Sequence, residues 1–174
     1  EFERAAEQYE QVIAKDPKGE YVEDAALGVI YCYEELMVQQ GVREMARGKK
    51  GGVERVRLSA KEVKQQRKAI PQTELHELET KYVRAADKYV ELLTDLLKDP
   101  EVRKKNPERG ADIPRIMFVA AQVFYEHGMF EDAIKRLQTI FEYDPQHEFA
   151  GIAVNTLLDA YVRLGRWNRV EFWA

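Results

Sequence analysis

Residues 2–9 read FERAAEQY, and residues 82–89 read YVRAADKY. The two copies share an aromatic first residue, a central Arg-Ala-Ala and a final tyrosine. A third relative, FEDAIKRL, occupies residues 130–137. Each copy continues into an aliphatic stripe that stops at Asp-Pro, at residues 16–17, 99–100 and 144–145. Self-similarity of this kind predicts a repeat architecture, which is typical of binding scaffolds more than of enzymes.

The composition is typical of a helix-rich globular protein. The chain has 174 residues, of which 33% are charged and 45% are hydrophobic. The sequence contains no run of apolar residues long enough for a transmembrane helix, so we predict no transmembrane segment. Both ends fall inside amphipathic patterns, so we expect the chain to be a piece of a longer protein. Its location, cytoplasmic or periplasmic, is left open.

Helical periodicity covers nearly the whole chain, and no useful strand alternation occurs. The first helix places Phe2, Ala6 and Tyr9 on one apolar side. Pro71-Gln72-Thr73 is expected to start a long helix that reaches Lys98. The predicted helices are 2–15, 22–40, 59–69, 71–98, 114–127, 130–143, 148–164 and one that starts at Trp167. The sequence therefore predicts an all-α protein.

Residues 114–147 resemble a tetratricopeptide repeat, a helix–turn–helix unit of about 34 residues. The positions that carry this resemblance are Met117, Ala121, Phe124, Gly128, Phe130, Ala133, Leu137 and Pro145. The small residues allow close helix approach, the glycine permits the turn, and the proline ends the second helix. The resemblance implies a right-handed solenoid of such helix pairs. In general sequence character, the chain also resembles the tetratricopeptide proteins of bacterial envelope and gliding-motility machinery.

The resemblance divides the chain into whole and partial units. Residues 1–17 correspond to the second helix of a truncated repeat, and residues 21–100 to one repeat split by a basic insertion at about 41–72. A connector at 101–113 precedes the best-matching unit, 114–147, and a truncated unit occupies 148–174.

No catalytic, metal or cofactor signature is present in the sequence. The three histidines are scattered, and His76-Glu77 is not followed by a second histidine at zinc-protease spacing. The single cysteine, Cys32, excludes an intrachain disulfide and a cysteine-based zinc site. The acidic pair Glu34-Glu35 is interpreted as a solvated helix face. We therefore predict a non-enzymatic protein without a cofactor.

The resemblance implies that a peptide or helix binds a concave groove lined by the first helix of each unit. Its residues would be Arg115, Phe118, Gln122, Tyr125, Glu126, Asn155, Asp159 and Arg163. The alternative for Phe118 and Tyr125 is that they pack against a neighbouring repeat. The predicted partner is a protein or peptide, and exposed repeat ends are expected to favour self-association. A third alternative is an architectural segment whose groove is filled by flanking parts of its own protein.

The insertion concentrates positive charge. Its basic residues are Arg43, Arg47, Lys49, Lys50, Arg55, Arg57, Lys61, Lys64, Arg67 and Lys68. It could be a solvated loop, fold back on the acidic remainder of the chain, or engage an acidic partner, an anionic lipid or nucleic acid. Because the insertion has no aromatic residue, base stacking is not available to it, and sequence-specific binding of single strands is not predicted.

Overall fold

A computed structural model describes residues 1–43 and 70–174. These residues form helices and no strand, which confirms the all-α class for the described part of the chain. Numbered along the chain, the helices are α1 (Phe2–Lys15), α2 (Val22–Gln39), α3 (Glu77–Leu96), α4 (Pro100–Lys105), α5 (Ile113–Glu126), α6 (Phe130–Tyr143), α7 (Glu148–Arg163) and α8 (Trp167–Trp173). No helix of the described ranges is long and apolar enough to cross a membrane. The predicted helix at 59–69 lies outside the described residues.

Most helices pack against their neighbours in the chain, as in a helical-repeat protein. Contacts join α1 to α2, α2 to α3, α5 to α6, α6 to α7, and α7 to α8. Two further contacts, between α3 and α5 and between α5 and α7, connect one pair to the next. Helix α3 therefore joins the first two helices to the rest of the described chain.

Two tyrosines hold α3 against α2. Tyr82 and Tyr89 lie one heptad apart on α3, and both are completely buried. Their hydroxyls donate hydrogen bonds to Glu34 and Glu23 of α2, each over 3.1 Å. Because the earlier tyrosine reaches the later glutamate, the two helices run antiparallel. Each buried ring thus contributes apolar area while its polar atom is satisfied.

Alanines set the spacing in the second half of the fold. Ala121 of α5, Ala133 of α6, and Ala153 and Ala160 of α7 are all fully buried. Without longer side chains at these positions, the helix axes can approach closely. Larger residues fill the space beside them, among them Leu137, Ile140, Leu157 and Tyr161.

The Asp-Pro motifs have two different structural roles. At Asp16 and Asp144 the motif follows the last residue of α1 and of α6, and thus ends a helix as expected. At Asp99 it begins one, because the Asp99 carboxylate accepts from the Glu101 amide over 2.9 Å and Pro100 occupies the first helical position. The predicted connector 101–113 is therefore partly helical.

Residues 70–75, here called the strap, lie across the turn between α5 and α6. The Thr73 amide donates to the His127 carbonyl over 3.0 Å, and the Thr73 hydroxyl lies 2.7 Å from His127 Nδ1. These contacts hold the strap out of the helix, so the prediction that α3 starts at Pro71 is wrong. Helix α3 instead begins at Glu77, after a capping box made by His76 and Glu79.

Glu79 links the start of α3 to the turn between α5 and α6. It is the only charged residue of the described ranges that is buried, and its carboxylate accepts from the His76 amide over 2.9 Å. Both carboxylate oxygens also lie close to His127 Nε2, at 2.9 and 3.0 Å. One imidazole thus contacts both the strap and the first turn of α3, so that the strap, α3 and the α5–α6 turn form one connected unit.

Gly128 and Gly165 offer a matched test of strap docking. Both have a positive φ, +66° and +68°, in which an L side chain costs about 1–2 kcal/mol. A Cβ at Gly128 would lie 2.9 Å from the carbonyl oxygens of Ile70 and Pro71, whereas one at Gly165 would meet no atom within 4 Å. We expect Gly128→Ala to lower the free energy of unfolding by at least about 1 kcal/mol more than Gly165→Ala. Urea denaturation followed by circular dichroism measures the difference, and equal losses would contradict the docked strap.

Candidate functional site

The predicted groove residues of α5 and α7 lie on two helices that pack on each other. At one end, Phe118 packs on Phe149, with ring centroids 5.6 Å apart. Phe149 is buried in the first turn of α7 and stacks on His147, the residue that caps this helix. This end of the face is therefore an aromatic contact within the chain, as in the packing alternative for Phe118.

At the other end, Tyr125 joins α5 to α7 through a polar cluster. Its hydroxyl donates to the Asp159 carboxylate and accepts from Arg163 Nε over 2.9 Å. Arg163 also contacts Asp159, and its guanidinium lies 5.6 Å from the Tyr125 ring centroid and 5.8 Å from that of Phe130. Three predicted groove residues thus form one cluster of side chains that hold one another in place.

The remaining charged residues of the predicted groove are also paired. Arg115 Nε bonds to Asp112 Oδ1 over 2.7 Å, and Glu126 forms an ion pair with Arg43. Arg43 belongs to the predicted insertion, so the root of the insertion contacts this face. The other basic residues of the insertion lie outside the described residues: Arg47, Lys49, Lys50, Arg55, Arg57, Lys61, Lys64, Arg67 and Lys68.

Two amide side chains of the predicted groove differ from the charged residues beside them in their hydrogen bonding. Gln122 on α5 is half-buried and Asn155 on α7 is exposed. Within residues 1–43 and 70–174, neither side chain makes a hydrogen bond or ion pair. Of the eight predicted groove residues, these two alone keep uncommitted donors and acceptors in the described part of the chain.

Sequence reasoning assigned Glu34 to a solvated helix face, and this is wrong. Its carboxylate is partly buried, accepts from Tyr82 and lies near Arg115 and Arg43. Burial raises the pKa of Glu34, an effect that the Tyr82 hydrogen bond and the two arginines oppose. No local signal marks this position, because the tyrosine that binds it lies 48 residues away in the chain.

The structure also contains a groove that the sequence did not predict. It has a volume of about 910 Å³ and is lined by α1, α3 and α6, with Ala26 and Val29 of α2 at its floor. An adjoining cleft of about 250 Å³ lies between α3 and α6 over Met117 and Ala120 of α5. None of the predicted groove residues lines either hollow, so this is a different face of the molecule.

Among the described residues, no group of three or more His, Cys, Asp or Glu side chains converges in a way that could hold a metal ion. Cys32 is buried, and that burial raises the pKa of its thiol. The thiol is therefore less nucleophilic than an exposed cysteine.

Large apolar side chains are exposed near both ends of the described chain. They are Tyr9 and Val12 on α1, and Trp167 and Phe172 on α8. Phe172 is 75% exposed, more than any other large apolar residue among those described. These are the surfaces to which the prediction of self-association refers.

Comparison with known proteins leaves the family undetermined. No protein-family model matches the chain, and no curated protein or solved structure matches it either.

The Tyr125 cluster predicts an unusual titration. Burial, and next the hydrogen bond to Asp159, raise the pKa of Tyr125 to about 12, above the ordinary value of 10.0. Since the folded state keeps this proton longer than the unfolded state, the stability that Tyr125 contributes is complete below pH 10 and is lost as the pH rises toward 12.

We expect the tyrosinate absorbance of the wild type minus that of Tyr125→Phe to have its midpoint near pH 12. The loss of stability between pH 10 and 12 should also be smaller in Tyr125→Phe. A difference titration centred at pH 10 would mean that Tyr125 is not held by Asp159 in solution.

Proposed function

We propose that the chain is a non-enzymatic scaffold for protein–protein interaction. In this proposal its helix pairs form a right-handed solenoid of the tetratricopeptide type. A peptide or helix of the partner binds the face made by α5 and α7. The resemblance noted in the sequence favours an assembly of the bacterial envelope or motility type as the setting.

The observation that carries the proposal is the pair of amides, Gln122 and Asn155, that make no hydrogen bond to any described residue, on a face whose other predicted polar residues are paired. A primary amide has both donors and an acceptor, which match the N–H and C=O groups of a peptide backbone. Such a pair would recognise an extended segment without requiring a particular charge on it.

The paired residues around these amides support the proposal in a second way. Tyr125, Asp159 and Arg163 hold one another in place, and Phe118 is held by Phe149. Because they are fixed in the unbound protein, little side-chain entropy would be lost when a partner binds. Aromatic and arginine side chains at interfaces often dominate the binding energy.

The experiment compares two double variants. Gln122→Ala with Asn155→Ala removes the two groove amides, whereas Gln8→Ala with Asn168→Ala removes two exposed amides of α1 and α8. Since neither Gln122 nor Asn155 has a hydrogen bond to lose within the described residues, both variants should melt as the wild type does. We expect the first variant, and not the second, to lose partners in crosslinking and affinity purification.

Two outcomes would count against the proposal. If both double variants retain the same partners as the wild type, the α5–α7 face is not the binding surface. If a partner is unaffected by either variant but is lost when residues 44–69 are deleted, the basic insertion performs the binding instead.

A further inference from the structure

The unpredicted groove along α3 is a long, mostly apolar trough. Its apolar lining includes Ile13 of α1, Leu92 and Leu96 of α3, Met117 of α5 and Tyr143 of α6. The part of α3 that lines it, residues 85–96, is roughly 17 Å long at the rise of an α-helix. The trough is partly open to solvent.

This shape favours a helix over a small molecule. Small-molecule sites enclose most of their ligand, whereas this groove would leave a compact ligand exposed on one side. An amphipathic helix buries one face and leaves the other in water. The walls α1 and α3 are themselves helices, so the side-chain ridges of a third helix could pack between theirs.

The rim of the groove carries charge at helical spacing. Lys88, Glu91, Asp95 and Lys98 all line the groove and are exposed. The first three lie on one stripe of α3, and Lys98 follows in the turn after the helix, where it pairs with Asp95. The order of signs, plus, minus, minus, plus, is the same in either direction. A partner helix with acid, base, base, acid at the same spacing would match this rim in both orientations.

These charges are available for a partner. The Asp95–Lys98 ion pair spans 3.0 Å, but both side chains are largely exposed, at 66% and 75%. Exposed pairs of this kind contribute little to stability, so exchanging one for a partner's charge costs little.

From the apolar floor and this rim we infer that the groove along α3 binds an amphipathic helix of another protein. That helix has an apolar stripe flanked by an acid, base, base, acid series at spacings of three, four and three residues. This site is separate from the α5–α7 face and does not depend on the function proposed for that face.

The probe is a fluorescein-labelled synthetic helix of about 18 residues, or roughly 27 Å. It carries leucines on one stripe with the acid, base, base, acid series beside them. A second peptide has the same leucines and the inverted charges. Fluorescence anisotropy measures the binding of both to the full chain. We expect roughly tenfold tighter binding of the first peptide, given a few tenths of a kcal/mol from each of four exposed charge pairs.

Two protein variants decide whether the groove is responsible. The fourfold variant Lys88→Glu, Glu91→Lys, Asp95→Lys, Lys98→Glu leaves the net charge unchanged, and we expect it to prefer the inverted peptide. Ala14→Trp places a large ring at an exposed position that lines the groove and should abolish binding. Ala111→Trp, exposed in the connector and outside the groove, is its control. Circular dichroism must first find the same helicity and melting in all variants.

Three outcomes would overturn the inference. The first is no binding of either peptide. The second is equal binding of both peptides, or no reversal of preference in the fourfold variant, since either would indicate non-specific apolar attraction. The third is a concentration-dependent dimer in sedimentation that Ala14→Trp abolishes, which would assign the groove to a second copy of this chain.

Discussion

The burial of α3 is the constraint on which the rest of the structure depends. This helix packs against α2 on one side and α5 on another, so it joins the two halves of the described chain. Tyr82 and Tyr89 fix it to α2 by placing their rings in the core and their hydroxyls on two glutamates. A phenylalanine would bury the same area, but the glutamates would lose a partner. Each tyrosine needs a buried site for its ring and a glutamate for its hydroxyl. Together these two requirements specify both the position of α3 and its direction.

The strap contributes to keeping α2 and α3 together although many residues separate them in the chain. The chain leaves α2 near Arg43, which pairs with Glu126, and returns at residues 70–75, which dock on His127 and Gly128. Both flanks of the intervening segment are therefore held at one turn of the fold. Because α2 and α3 still pack directly, the long separation between them in sequence does not disturb the helix pair. The α5–α6 turn is thus an anchor as well as a connection.

The two candidate surfaces differ in how their polar groups are used. On the α5–α7 face, most charged side chains are paired within the chain, and two amides make no hydrogen bond to the described residues. Along α3, an apolar trough is bordered by exposed charges in a fixed series. The first arrangement suits recognition of a backbone, and the second suits recognition of a patterned helix. One small helical chain therefore offers two chemically distinct candidate surfaces.

The sequence by itself determined the helical class and most helix bounds. These follow from local periodicity and from residues such as Asp16, Gly128 and Pro145, which end helices or permit turns at their own positions. It also identified Ala121 and Ala133 as positions of close approach. Only the tertiary structure decided where α3 begins, since the Thr73–His127 contact joins residues 54 positions apart. The tertiary structure also decided the environment of Glu34, which the sequence placed on a solvated face but which accepts a hydrogen bond from Tyr82. The pairing of Tyr125 with Asp159 and the groove along α3 likewise arise between helices, where no single stretch of sequence contains the information.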